Sequence, residues 1–447
     1  MKLFIKHSLV SLIFLLLGNL LFGQKHVSWV HGLGGDETSF EQYAIDFGAT
    51  YSNSTHTRNL YVSDRGINTG ANECLQDLRT NGMTSSNGIA IGHSMGGLVL
   101  REMDRLGQLS SVDDLFSCYI TLATPNQGAA IATSVNNGSL RNYFNGGCKE
   151  ATDLVNALIP GKGGIFATAL PWQGLVCNIL YNELENNMDG FANNPSLTDL
   201  QPNSTILAQL DNVNSTKPRI TMWGNERSPV HWRQIGSIMQ SPSQRPVTRP
   251  INDDNNLVIK VEKSVNRLKS ARTVFNSLGL VNAFNAFWNP TAAAGAVYFY
   301  NAARQCRHIV EWEQKSEDGW NVLINSKKVI YKSFYHYNLL PSCQKKVDII
   351  FQKYHNGNRI PDLKKMMAEA SKILDDPNCW GMVRTTYPFI VGKKSDGLIA
   401  NHATKISGVQ SIQIDDANHQ EMVNHRNLHV QLQQTFDGNN GASFRIR

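Results

Sequence analysis

The chain has 447 residues, of which 41% are apolar and 17% charged, with a net charge of +6. That composition excludes a disordered or fibrous chain, and the length suits one large α/β domain with an insertion, or two domains. So small a positive excess, with no Lys/Arg run longer than two, gives no nucleic-acid-binding signature.

Residues 1–23 read as a secretory signal. Lys2 and Lys6 supply the positive start, Leu9 to Phe22 the apolar run, and Gly23 a small residue before Gln24. An uncleaved membrane anchor is the alternative, but the run is short and Asn19 interrupts it. No cysteine follows to carry a lipid, so the expected location is secreted or periplasmic. The seven cysteines (74, 118, 148, 177, 306, 343, 379) all lie beyond that segment. Export permits disulfides, and an odd number leaves at least one thiol free. Cys148 with Cys177, and Cys343 with Cys379, are the first pairs to test, being near in sequence and flanked by loops. The absence of C-x-x-C disfavours a zinc ribbon or redox motif.

Lys25 to Val30 is a predicted strand running into His31-Gly32-Leu33-Gly34-Gly35. Glycine-rich backbone after a strand offers N–H groups that can converge on one oxygen; a flexible turn is the plainer reading. Glu41 to Phe47 is a predicted helix, Thr57 to Val62 a strand, Asn72 to Arg79 a helix and Asn81-Gly82 a turn. Ile89 to Gly92 is a short buried strand, and Ser94 stands at a sharp turn in Gly92-His93-Ser94-Met95-Gly96. Met95 to Leu106 then continues as a helix, with Leu98, Val99, Met103 and Leu106 at helical spacing. G-x-S-x-G alone recurs by chance, but between an apolar strand and a helix it describes a nucleophile elbow.

Cys118 to Ala123 is a further strand, ending in Thr124-Pro125-Asn126-Gln127-Gly128. Residues 129–217 are Gly/Asn-rich with helical pieces such as Ala151 to Leu158, and Arg219 to Trp223 is another strand. Residues 229–255 read as a loop. Asn256 to Phe287, Ala292 to Trp312, Val347 to Tyr354 and Pro361 to Leu374 are helical in pattern. Phe275, Phe284, Phe287, Trp288, Tyr298, Phe299 and Tyr300 either form the core of this helical part or line an apolar acyl pocket. The core is expected to resume at the strand Thr385 to Val391, followed by Ser395-Asp396-Gly397. Val409 to Ile414 is the last strand, followed by Asn418-His419, and Arg426 to Gln434 the closing helix. The tail from Asp437 reads as frayed. Strands alternating with helices argue a mostly parallel central sheet flanked by helices, an α/β fold. The expected division is a signal at 1–23, core at 24–250, a helical cap or lid at 251–380, and core again at 381–447.

A serine hydroxyl needs a base to take its proton, and the base needs a third group to fix its tautomer. In chain order Ser94, Asp396 and His419 each follow a predicted strand. Asp375, Asp376, Asp415 and Asp416 compete as the acid. His402, His425, His429 and His93 compete as the base, and His425 with His429, four apart, has a spacing that could also hold a metal. The N–H groups of Leu33 and Met95 are the candidate oxyanion donors.

H-G-L-G-G, G-H-S-M-G-G, A-T-P-N-Q-G, S-D-G-L-I and A-N-H together resemble the lipase branch of the α/β-hydrolase fold, including secreted bacterial lipases and GPI inositol-deacylase-like hydrolases. The resemblance covers about residues 25–130 and 385–435 well, 215–226 loosely, and the insertion not at all. It implies Ser94 as nucleophile, Asp396 as acid, His419 as base and Leu33 and Met95 as backbone oxyanion donors. It also points to Glu421, where some such lipases hold a structural calcium; a plain surface carboxylate is the alternative. The function it implies is a secreted hydrolase of carboxylic esters, with an ester or lipid as substrate, transient contact with a lipid surface, and no cofactor required. Oligomeric state stays open. The same residues would serve an amidase, peptidase or thioesterase, and a non-catalytic binding protein is the reading from outside the enzymes.

Overall fold

The computed structural model describes residues 24–146, 194–227, 230–238, 316–354 and 363–446, with 307, 311 and 314 as single positions. The signal reading at 1–23, the Cys148–Cys177 pair, the helix at 151–158, the helices of 256–287 and much of 292–312, and the seven aromatic residues between 275 and 300 lie outside the described residues.

The chain divides into two compact units, residues 1–327 with 392–447, and residues 328–391. In the first, six strands form one sheet in the order β2-β1-β3-β4-β5-β8. They are β1 (Lys25–Val30), β2 (Ser54–Arg58), β3 (Gly88–His93), β4 (Cys118–Leu122), β5 (Arg219–Asn225) and β8 (Gln410–Asp415). Every neighbouring pair is parallel, with Trp29 opposite Ile91 and Ile91 opposite Ile120. The order turns back at β1, whose neighbours are β2 on one side and β3 on the other. In an open parallel sheet that reversal leaves a crevice outside the carboxyl ends of the two strands. The His31–Gly35 loop and Ser94 leave the sheet there.

The sheet is buried on both faces, as an all-parallel sheet requires. Its side chains alternate between two cores. Val27 and Trp29, Ile89 and Ile91, and Cys118, Ile120 and Leu122 enter one; Val30, Ala90 and Tyr119 enter the other. Trp29 leads the first core, its ring 5.2 Å from Phe40, 5.8 Å from Tyr43 and 6.0 Å from Phe47. Helices α1 (Glu41–Thr50) and α10 (Arg426–Phe436) supply that face; α2 (Ile67–Thr80) and α3 (Met95–Leu109) supply the other. Each fully buried aromatic or aliphatic side chain there contributes roughly 1.5–3 kcal/mol.

Several elements depart from the expectation. β2 begins three residues earlier than expected and stops at Arg58, because Asn59 turns inward to accept from the Ser28 hydroxyl at 3.0 Å. Part of the loop expected at 229–255 is a helix, α7 (Val230–Ile238), which buries His231, Gln234 and Ser237; the Pro/Ser/Asn content of the whole stretch hid this short segment. The tail is packed, not frayed. Phe444 and Ile446 are buried in the Trp29 core, and the Ile446 N–H donates to the Phe436 carbonyl at 2.9 Å.

In the second unit, β6 (Lys327–Leu339) and β7 (Trp380–Gly392) form a separate two-stranded sheet. The strand at 385–391 therefore exists but belongs to this sheet and not to the core. Its apolar β-branched run matches a core strand, and its partner, β6, was not recognised because Lys, Ser, His and Asn interrupt it. Helices α8 (Pro341–Tyr354) and α9 (Leu363–Leu374) complete the unit, and a disulfide joins Cys343 to Cys379 with Cα atoms 5.6 Å apart. Cys74 and Cys118 are free and buried. No helix among the described residues is long and apolar enough to cross a membrane.

Two buried histidines of the first unit make its stability acid-sensitive. Burial lowers His231 to about 3, and burial with the neighbouring His26 lowers His56 to about 4. His56 Nδ1 accepts from the Trp29 indole at 3.2 Å, a bond that protonation breaks. Both imidazoles are neutral in the folded chain while the unfolded chain binds protons below about pH 6.5. Their stabilisation is therefore complete above that pH and lost as pH falls toward 4 and then 3. By pH 5 each costs about 2 kcal/mol. Thermal melts at pH 7 and 5 should show a smaller loss, by about 2 kcal/mol, in His231→Asn than in the parent. An equal loss in both would refute the assignment.

Candidate active site

Ser94 joins β3 to α3 in a backbone conformation that a side chain rarely adopts, with φ +54° and ψ −125°. Such strain persists only where the surroundings fix it. Here the Ser94 N–H donates to the Leu122 carbonyl at 2.8 Å, and its own carbonyl accepts from the Gly97 N–H at 3.1 Å. Three glycines make room. A Cβ on Gly92 would lie 2.6 Å from the Gly96 backbone, one on Gly96 2.5 Å from the Val30 carbonyl oxygen, and one on Gly32 2.8 Å from Ser94 Cβ.

His419 Nε2 lies 2.9 Å from Ser94 Oγ, and His419 Nδ1 lies 2.8 Å from Asp396 Oδ2. Asp396 and His419 are both buried. The second carboxylate oxygen of Asp396 accepts from the N–H groups of Leu398 at 3.0 Å and Ile399 at 2.6 Å. With Nδ1 donating to the carboxylate, Nε2 is the acceptor for the serine hydroxyl. Two bonds to the His419 backbone hold the imidazole in register: the His419 backbone N–H donates to the Asp396 carbonyl at 2.8 Å, and the His419 carbonyl lies 2.9 Å from His93 Nε2.

The His31–Gly35 loop abuts the serine and is tied down. The Tyr61 hydroxyl donates to the His31 carbonyl at 2.7 Å, the two rings stack at 4.3 Å, and the Gly34 N–H donates to Ser63 Oγ at 3.0 Å. Burial lowers the His31 imidazole below its ordinary range, which keeps it neutral. Met95 is the first residue of α3, where backbone N–H groups lack helical partners and the helix dipole favours negative charge. No hydrogen bond among the described residues uses the N–H of Leu33 or of Met95.

His93, a rival base, lies against His419 with ring centroids 4.9 Å apart and is engaged with its backbone carbonyl; the following rivals sit elsewhere. Asp376 caps the turn at Pro377–Cys379, and the exposed Asp415 accepts from Asn225. Asp416 occupies a turn at φ +59°. His425 caps α10, and His429 stacks on Phe47 at 4.6 Å. His402 lines a cavity of about 180 Å³ with Ile399, Ala129 and Pro202, a lining that includes none of Ser94, His419, Leu33 and Met95. Glu421 is fully buried rather than on the surface. Its Oε2 accepts from the Asn418 N–H at 3.0 Å, and its N–H donates to Asn418 Oδ1 at 3.1 Å, so it closes the turn that carries His419. Among the described residues no group of three or more His, Cys, Asp or Glu is placed to hold a metal.

One residue escaped the sequence reading. Glu226, directly after β5, donates its N–H to the Ser395 carbonyl at 2.8 Å and so fastens the Asp396 loop to the sheet. Its buried carboxyl is pushed up by burial, an effect countered by the Arg227 N–H and the Arg233 guanidinium. The signal available was its place at a strand end, which is where such folds put working side chains.

The parallel sheet, its order and the strand–serine–helix elbow are those of the α/β-hydrolase fold. No protein-family model matches the chain, and no curated protein matches it in sequence. Among solved structures it is similar to a lipase of Bacillus licheniformis, BlEst2 in mature form, at 16% identity over 46% of this chain and 67% of that one, with a TM-score of 0.28. Lipase B of Aspergillus fumigatus is 12% identical over 46% of this chain and 38% of that one, with a TM-score of 0.27. Phospholipase PlaB of Legionella pneumophila, solved with thio-NAD, is 10% identical over 88% of this chain and 93% of that one, with a TM-score of 0.29.

Proposed function

We propose that the chain is a secreted serine hydrolase that cleaves carboxylic esters through an acyl-enzyme on Ser94. The observation that carries this reading is the continuous hydrogen-bonded series from Ser94 Oγ through His419 to Asp396, set at a strained elbow. In the first step Ser94 Oγ attacks the ester carbonyl carbon while His419 Nε2 takes the hydroxyl proton. Asp396 holds Nδ1–H and stabilises the imidazolium. The negative oxygen of the tetrahedral adduct is met by the N–H groups of Met95 and Leu33, neither of which has another hydrogen-bond partner among the described residues. Collapse breaks the bond to the alcohol, which leaves with the proton from Nε2. Water then repeats the sequence on the acyl-serine, freeing the acid and restoring Ser94. The chemistry requires no metal or organic cofactor.

Export rests on the charged-then-apolar start at 1–23 and on the Cys343–Cys379 disulfide, a bond that persists in oxidising compartments. The insertion at 251–380, which contains the strand β6 as well as helices α8 and α9, is read as a cap or lid. A fluorophosphonate probe should label the parent protein at Ser94 and leave Ser94→Ala unlabelled. A folded parent that resists labelling would reject the reading. Esters of increasing acyl length, set against the matching amides and thioesters, then separate an esterase from an amidase or thioesterase.

A further inference from the structure

His419 is placed by the turn that carries it, and that turn is seated on α7. Asn418, one residue before the base, is fully buried. Its Oδ1 accepts from the Glu421 N–H at 3.1 Å, and its backbone N–H donates to Glu421 Oε2 at 3.0 Å. Its Nδ2 donates to Ser237 Oγ at 2.8 Å. The Glu421 N–H can only donate, which fixes the amide with its oxygen toward Glu421 and its NH₂ toward Ser237. An aspartate there would lack the donor, and a leucine would lack donor and acceptor alike.

Ser237 shares one face of α7 with Gln234, three residues before it. Gln234 is fully buried and packs on the acid loop. A Cβ on Gly397 would lie 3.3 Å from Gln234 Oε1 and 3.4 Å from Gln234 Cβ. One helix face thus meets both the residue after Asp396 and the residue before His419. The Gln234 amide has no hydrogen-bond partner among the described residues, so the polar tie from this face to the site is the bond between Asn418 and Ser237. The end of β5 presses on the same two loops. The Glu226 N–H holds the Ser395 carbonyl at 2.8 Å. A Cβ on Gly224 would collide with the Ala417 carbonyl oxygen and lie 3.0 Å from Asp396 Cβ.

We infer that Asn418 and Ser237 are positioning residues of the Ser94 reaction, their hydrogen bond setting where the His419 imidazole stands between Ser94 and Asp396. His419 must keep two partners at once, at 2.9 Å and 2.8 Å. A displacement of about 1 Å at a reacting group costs about a hundredfold in rate. The loss falls on kcat and not on KM, because the bond acts through His419 and both of its side chains are buried. The inference rests on the reading of Ser94 as the nucleophile of an ester hydrolase.

The test is kcat for a p-nitrophenyl ester, counted per serine that a fluorophosphonate titrates, in the full chain. Counting reactive serines separates placement from folding. A merely structural bond would lower the melting temperature or the number of active molecules and leave the rate per site unchanged. Ser237→Ala should lower kcat per site about tenfold, with KM within about twofold of the parent. Asn418→Asp keeps the acceptor for the Glu421 N–H but sets a charge beside the Glu421 carboxylate, and should lower kcat about a hundredfold. The double variant should lose less than the product of the two, since both changes break one bond. If Asn418→Asp does not fold, Ser237→Ala decides alone. Ser237→Ala turning over at the parent's rate per site, a loss confined to KM, or fully multiplicative losses in the double variant would each overturn the inference. A parent that neither labels nor hydrolyses ester rejects the hydrolase reading and this inference with it, whereas an active parent matched by its variants rejects this inference alone.

Discussion

Ser94→Ala is expected to lower kcat/KM for a p-nitrophenyl ester by about 10⁴- to 10⁶-fold while leaving the fold intact. The size follows from what is lost. Without Oγ no acyl-enzyme forms, and what remains is binding and the two backbone donors acting on a water. His419→Ala should cost about as much, since an unassisted hydroxyl is a weak nucleophile at neutral pH. The double variant should be no worse than either single one, because the two groups act as a unit. Asp396→Asn should cost about 10⁴-fold. Its amide can still reach Nδ1, but it favours the tautomer that puts the proton on Nε2, which then faces the serine as a donor. Ser94→Ala retaining a tenth of the parent rate, with circular dichroism unchanged, would end the proposed mechanism. Additive losses in the double variant would retain Ser94 but break its coupling to His419.

The core sheet was readable because its signals are local. Ile89 to Gly92 and Cys118 to Ala123 are short apolar runs, and a strand buried on both faces needs nothing more. The candidate residues were chosen from chain order and from their places after predicted strands, although the strand before Asp396 belongs to the separate β6–β7 sheet and not to the core. Ser94, Asp396 and His419, chosen from order and position, lie within hydrogen-bonding distance of one another. The reading failed where partners decide. Nothing in Thr385 to Val391 says that its neighbour is Lys327–Leu339 and not β8. Glu226 carries no local signal beyond its place after a strand, and only the fold brings its N–H against the Ser395 carbonyl. The tail was judged by its glycines and asparagines, whereas Phe444 and Ile446 decide its fate. Glu421 was weighed as a calcium ligand or a surface charge. A carboxylate that closes a buried turn was not considered, since such a role depends on Asn418 facing it across the turn.

Gly96→Ala is expected to be among the most damaging glycine-to-alanine changes in the core. The new Cβ would sit 2.5 Å from the Val30 carbonyl oxygen, and its neighbours are the backbone of β1, which cannot rotate aside. Relief requires α3 to move away from the sheet, and α3 begins at Met95, immediately after the serine. Stability should fall by about 3–5 kcal/mol, the upper range for overpacking and backbone strain. Gly92→Ala should behave similarly, since its Cβ would press on the Gly96 and Gly97 backbone at 2.6–2.7 Å. Gly48→Ala supplies the opposite sign. That glycine lies inside α1, and its Cβ would meet only the His56 ring at 3.7 Å. Removing unfolded-chain freedom there should stabilise by about 0.5–1 kcal/mol. Chemical denaturation of the three variants tests the close approach of α3 to β1 directly. Gly96→Ala melting with the parent and hydrolysing ester at the parent rate would show that the elbow has slack. Its strained φ could then no longer be attributed to crowding between strand and helix.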